Sequence, residues 1–167
     1  MDLRTERLRL RPPRNEDLQA VHGFLSDPRA MHYWSSLPHQ PLADTQTFLD
    51  GLIHSDRGQH FYAVFEMDGV VIGMGGYSEK SEIVLILHPS EWRKGIGREV
   101  LSALISHGFR TFEFNSITAD VDPENAASIA LLSGLGFRET HRANCTCLLG
   151  DRRCDSVYMK LDSPDDN

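Results

Sequence analysis

The chain has 167 residues, 40% hydrophobic and 25% charged, and 17 basic against 24 acidic side chains leave a formal charge of −7. That size predicts a single domain over residues 1–167, with a loose tail at 162–167. The acidic balance argues against nucleic-acid binding, no apolar run reaches membrane-spanning length, and the first seven residues lack the apolar segment of a signal peptide. A cytoplasmic protein with no nucleic-acid or membrane partner is the expectation.

Taken in chain order, Leu8-Arg9-Leu10-Arg11 alternates like a strand with one buried face, which predicts a solvated face for its arginines. Asn15 can cap a helix that carries Glu16 and Asp17 in its first turn and Leu18, Val21, His22 and Leu25 on its apolar face. Pro28 interrupts it, and Met31 to Pro41 is irregular. Phe48, Leu49, Leu52 and Ile53 mark a second helix that closes before Gly58. A β meander follows: Phe61 to Glu66 and Val70 to Tyr77 flank a turn at Met67-Asp68-Gly69, then comes Glu82 to Leu87. A long helix starts near Ile96, with Ile96, Val100, Leu101, Leu104, Ile105, Gly108 and Phe109 on one face. Ser116 to Val121 reads as a strand, and Asn125 can cap a short helix that ends at Gly136-Phe137. Two closing strands, about Arg138 to Leu148 and Arg153 to Leu161, form a hairpin. The class is α+β, and the strand–helix–strand unit around the long helix must be parallel.

The densest chemistry lies in Leu87-His88-Pro89-Ser90-Glu91-Trp92-Arg93-Lys94-Gly95-Ile96-Gly97-Arg98. A strand ends, two glycines stand one residue apart, and a helix begins. Missing side chains at Gly95 and Gly97 let a phosphate approach the backbone. Free N–H groups at the helix start would hold it, with Arg93, Lys94 and Arg98 adding charge. A dinucleotide fingerprint would need glycine where Val100 stands. A nucleoside-triphosphate loop would need Gly-Lys-Ser/Thr, which is absent. A diphosphate held by backbone and flanking basic side chains stays open, as does a plain tight turn.

Three cysteines remain. A turn at Gly150-Asp151 would set Cys147 opposite Cys154, with Cys145 on the same face as Cys147. Reduced thiols packed in a sheet are favoured over a disulfide or zinc site. The eight histidines show no metal-ligand spacing, so no metal is expected.

One family gathers these motifs. Thr5-Glu6-Arg7-Leu8-Arg9-Leu10-Arg11 with Glu16-Asp17-Leu18, then Asp27-Pro28, the Trp92-to-Gly97 loop, Asn125-x-x-Ser128 ending in Gly136-Phe137, and Asp155-Ser156 together resemble the GNAT acetyltransferases, in particular the ribosomal-protein N-acetyltransferase branch. The resemblance spans nearly the whole chain. It implies a mixed, mostly antiparallel sheet of six to seven strands with a splayed parallel pair, about four helices, and acetyl-coenzyme A in the wedge. The family's loop usually begins with arginine or glutamine; Trp92 stands there, as is common in this branch.

The implied reaction is acetyl transfer to a primary amine of a peptide or small molecule, by direct attack in a ternary complex. The resemblance makes Glu82 the base, where a surface glutamate beside Lys80 is the plain alternative. It directs N–H groups near Ile86 and Leu87, at an expected bulge, to the oxyanion. It seats the diphosphate on the amides of Arg93 to Arg98, from the loop that Trp92 opens. It assigns Asn125, which could equally be a helix cap, to the pantetheine arm. A tyrosine that many members use as proton donor aligns with Leu132, which cannot donate. Ser128 matches the donor of the ribosomal-protein branch and could bond the sulfur; Tyr158 is a further donor or a rim residue. Tyr33 and Trp34 would border the acceptor opening or anchor packing. The chain would be a monomer or a homodimer. A GNAT-shaped acyl-coenzyme A binder without catalysis, acting as a sensor or partner subunit, is the alternative, and a ligand-free α+β domain is another.

Overall fold

The structure, a computed structural model, describes residues 2–54, 61–78 and 81–164. The expected helix closure before Gly58 and the Lys80 neighbour of Glu82 lie outside these residues. Among these residues eight strands form two sheets. In the first, β1 (Leu3–Arg4), β2 (Arg9–Arg11), β3 (Phe61–Met67), β4 (Val70–Tyr77) and β5 (Ile83–Leu87) lie side by side in chain order, each antiparallel to the next. The second sheet has the order β6 (Ser116–Val121), β8 (Arg152–Asp162), β7 (Arg138–Leu149), again antiparallel. Helices α1 (Leu18–Leu25), α2 (Leu42–His54), α3 (Ile96–Thr111) and α4 (Ala126–Ser133) cover them.

The predicted α+β class and the four helices are observed, and the opening segment adds the short strand β1. The strand–helix–strand unit is β5–α3–β6, and among the described residues β5 and β6 meet through one parallel bridge, Glu82 to Thr118. Past that bridge the two strands part, so the sheets open like a wedge.

The largest apolar cluster fills the space between the sheets and α3. Ile96, Val100, Leu101 and Leu104 recur at helical spacing and are buried against Phe65, Ile117, Val157 and Met159. A smaller cluster on the other side of the first sheet joins Val21, Phe24 and Leu25 of α1 to Val64, Met74 and Ile86. Apolar clusters thus lie against both faces of the first sheet.

Two local expectations differ. Arg11 is buried rather than solvated. It donates to both carboxylate oxygens of Asp17 at 2.8 Å and to Glu66 at 2.7 Å. The pairing offsets the cost of burying the charge and, through Asp17, keeps the guanidinium firmly protonated. Asp17 also accepts from the Arg14 N–H, so a 3-10 turn at Asn15–Asp17 precedes α1 and Asn15 is not the cap. At the other end, Asp162 pairs with Ser116 and the Ser163 N–H bonds the Asn115 carbonyl, so ordered structure runs through the start of the expected tail.

Candidate active site

β5 has one partner. The Ser78 N–H bonds the Glu82 carbonyl and the His88 N–H bonds the Ile72 carbonyl, which places the even-numbered residues of β5 in the hydrogen-bonded pairs of the ladder. The N–H of Ile86 therefore points into β4. Those of Leu85 and Leu87 point toward the wedge. The register from Tyr77↔Ile83 to Gly73↔Leu87 runs without a shift, so the expected bulge is not there. Splaying alone frees these donors, and the available pair is Leu85 and Leu87 in place of Ile86 and Leu87. The Leu87 carbonyl, on the same side, accepts from the Trp92 indole N–H at 3.1 Å. The exposed Trp92 ring is thereby fixed across the end of β5.

Beyond β5 the chain makes a 3-10 turn at Pro89–Glu91 and enters α3 through Gly95. Arg93 and Gly95 have φ of 60° and 78°. Left-handed residues at this spacing turn successive N–H groups toward one side, as in an anion-binding nest. The Glu99 N–H makes the first intrahelical bond, to the Gly95 carbonyl, which leaves the amides of Ile96, Gly97 and Arg98 free for a ligand.

The basic residues divide their work. Lys94 pairs with Glu91 at 3.2 Å, and Arg98 donates to the Gly134 carbonyl at 3.1 Å at the far end of α4. Among the described residues Arg93 has no partner, so it is the loop's uncommitted cation. Gly97 serves packing as well: a side chain there would begin 3.2 Å from Leu131 of α4.

What holds this loop comes from the N-terminal segment. Arg7 bonds the Lys94 carbonyl at 3.0 Å and pairs with Glu99 at 2.7 Å. Glu99 also accepts from the Thr5 hydroxyl at 2.5 Å and from the Arg7 N–H at 2.9 Å. Burial raises its pKa, but the bonds from Thr5 and Arg7 outweigh that and leave it lowered. Thr5 and Arg7 stood within the motif that suggested the family; nothing in the sequence singled out Glu99.

At the other end of β5, Glu82 is half-buried at the bridge between the two sheets. Its Oε1 accepts from the Ser78 hydroxyl at 3.2 Å. Burial pushes its pKa up, the Ser78 bond pulls it down, and Asp120 across the wedge pushes it up; the net direction is upward. Tyr62 is close enough that burial and the Glu82 charge both raise its own pKa.

Asn125 is the α4 cap, its Oδ1 accepting from the Ser128 N–H at 3.1 Å. Its amide nitrogen makes no bond among the described residues, so capping leaves it available to a ligand. The Ser128 hydroxyl likewise has no partner among them. Leu132 is buried in the main core. Trp34 packs on the smaller cluster, whereas Tyr33 is exposed and donates to the Glu124 carbonyl at 3.2 Å. Tyr158 stacks on His141 with ring centroids 4.4 Å apart. Cys147 and Cys154 face each other across the hairpin as free thiols; the Cys154 partner and burial raise the Cys147 pKa. No metal cluster exists among the described residues, and no described helix is long and apolar enough to cross a membrane.

Residues 7–138 match the acetyltransferase (GNAT) domain family. An uncharacterized N-acetyltransferase p20 of Bacillus licheniformis is 31% identical over 146 residues, covering 82% of each chain. A spermidine N(1)-acetyltransferase of Escherichia coli K12 is 27% identical over 78% of this chain and 72% of its own. Among solved structures, a ribosomal L7/L12 alpha-N-protein acetyltransferase in complex with coenzyme A superposes with a TM-score of 0.85 at 18% identity, over 97% of this chain and 98% of its own. A spermidine N-acetyltransferase of Vibrio cholerae, in complex with coenzyme A and spermine, gives 0.83 at 21% identity, over 95% and 96%. The chain belongs to the GNAT acetyltransferase family and is an acetyl-coenzyme A–dependent N-acetyltransferase.

Proposed function

We propose that the chain acetylates a primary amine that enters the wedge from the Glu82 side, while the coenzyme lies along the opening from the α3 cradle. The observation that carries this is the pairing of two features on one short strand. A carboxylate with raised pKa stands at the start of β5, and a nest of free amides follows its end. The residues present fit the coenzyme: the amides from Arg93 to Arg98 suit a diphosphate, and Asn125 and Ser128 offer polar atoms to the pantetheine arm. When bound, the coenzyme supplies an activated acyl thioester.

The chain's own groups do the rest. Glu82 accepts the proton of the incoming ammonium, directly or through water; its raised pKa makes it a stronger base than an exposed glutamate. The N–H groups of Leu85 and Leu87 face the place where negative charge develops on the carbonyl oxygen. Ser128 donates a hydrogen bond toward the departing sulfur, and Leu132, being apolar and buried, takes no part.

The acceptor is proposed as a small polyamine or a peptide N-terminus, in line with the relatives above. The test is acetyl-coenzyme A turnover with spermidine, spermine, peptide N-termini, amino acids and aminoglycosides. At least one amine is expected to turn over, and Glu82→Gln is expected to lower its kcat about 100-fold or more with coenzyme affinity unchanged. Tight coenzyme binding with no amine acetylated would replace this reading with that of a non-catalytic binder. Undiminished turnover in Glu82→Gln would remove the base.

A further inference from the structure

Arg152, the first residue of β8, lies at the tip of the β7–β8 hairpin and joins that tip to two other segments. Its Nη1 donates to the His32 carbonyl in the segment after α1. Its Nη2 donates to Asp122 at 2.6 Å, at the end of β6, with Glu124 at 3.7 Å. Its guanidinium carbon sits 5.9 Å from the centre of the Tyr33 ring. Asp122 is nearly buried, with 9% of its side chain exposed, so the pair is not a surface decoration.

The contact continues into the cofactor side. Asp122 uses its other oxygen to accept from the Glu124 N–H at 2.8 Å, and its carbonyl accepts from the Asn125 N–H at 2.9 Å. Asn125 in turn caps α4 at the Ser128 N–H. Tyr33 closes a second loop by donating to the Glu124 carbonyl. One guanidinium therefore ties three segments that are far apart in sequence. One of them holds Tyr33, at the expected acceptor opening. Another is the turn that presents Asn125 and Ser128. The third is the hairpin tip itself.

We infer that Arg152 is a positioning residue: it sets the acceptor lip against the pantetheine-facing turn, so the amine and the thioester are aligned by a shared clamp. Arginine suits this because its planar fork reaches a carbonyl and a carboxylate together while its face meets an aromatic ring. The diphosphate cradle lies at α3 and shares no contact with Arg152, so its loss reaches the coenzyme only through the Asn125 turn and should weaken the coenzyme less than the amine.

Arg152→Ala and Asp122→Asn open the clamp from its two ends, and Arg152→Lys restores the charge. Amide hydrogen exchange is measured on each ligand-free protein, beside the KM for spermidine or the best amine of the panel and the KM for acetyl-coenzyme A. Both opening variants are expected to speed exchange together in residues 32–34 and 122–128, while α3 keeps its protection. The acceptor KM should rise about tenfold with the acetyl-coenzyme A KM within about threefold, and Arg152→Lys should recover part of both effects. The idea is overturned if the two segments respond independently or not at all, or if both KM values rise alike. The kinetic arm rests on the acetyl-transfer reading. If the wild type acetylates nothing, that reading fails while the exchange arm still decides the clamp.

Discussion

Glu82 illustrates how a single carboxylate is tuned by burial and two neighbours, Ser78 and Asp120. Burial and Asp120 on β6 favour its neutral form, and the Ser78 hydroxyl favours the ion. A base must be deprotonated to work, so with Glu82 in the role proposed above kcat/KM is expected to climb with pH through its pKa. Ser78→Ala removes the stabilising bond, and the acidic limb of the profile is expected to move to higher pH. A limb that stays in place would mean that Ser78 does not set the base. The same raised pKa has a stability consequence. The carboxylate's contribution is fully present below the unfolded-state pKa and is lost as pH rises through the higher folded value. Glu82→Gln, which keeps the Ser78 contact and cannot ionise, is therefore expected to raise the melting temperature at pH 7 while lowering kcat as above, and the gain should vanish near pH 4. Equal melting temperatures at both pH values would contradict the burial cost. The family's pattern singled out Glu82 as a candidate. Its tuning was not legible in the sequence, because Asp120 reaches it only through folding.

At the level of elements, the start of α3 shows what a sequence can and cannot say. Two glycines and the helical spacing after Ile96 located the strand end, the loop and the helix. The residues that stiffen the loop come from the N-terminal segment, roughly ninety positions away, and no local pattern announces a bond from Arg7 to the Lys94 carbonyl. Arg11 was misplaced for the same reason: alternation assigned it to a solvated face, and its two carboxylate partners lie on other elements. Arg98 was assigned to phosphate by proximity in sequence, whereas helix geometry turns it toward Gly134. The clamp at Arg7 and Glu99 can be tested directly. Because Arg7 holds the loop's backbone, Arg7→Ala is expected to weaken coenzyme A about fivefold, near the upper end for a partly exposed ion pair. It should weaken 3′-dephospho-coenzyme A by the same factor. A larger loss for the full coenzyme would show that Arg7 binds the 3′-phosphate and does not position the loop. Gly95→Ala meets no close backbone, yet its φ of 78° penalises any side chain by about 1–2 kcal/mol, so the nest should weaken there as well.

On the scale of the molecule, the wedge follows from where the strands are not paired. Five strands stay together from β1 to β5, three from β6 to β8, and the parallel pair meets at the Glu82 bridge, beside which the Ser81 hydroxyl donates to the Ser116 carbonyl at 2.7 Å. Helices α3 and α4 meet where Gly97 abuts Leu131, on the same side as the opening. A ligand along that opening would touch β5, the α3 start and the α4 start, joining halves that otherwise depend on the core behind them. Binding to the folded state alone stabilises by about 2.7 kcal/mol at one hundred times Kd. For a chain of 167 residues each kcal/mol moves the midpoint by about 2–4 °C, so saturating coenzyme A is expected to raise it by roughly 5–11 °C. Pantetheine, which lacks the diphosphate, should give a much smaller shift at equal concentration, because the nest at Arg93 to Arg98 would have no anion to hold. Arg7→Ala should need about five times more coenzyme A for the same rise. If pantetheine matched coenzyme A, the anchor would have to be sought along the Asn125 side of the wedge, and the nest after β5 would be no more than a turn.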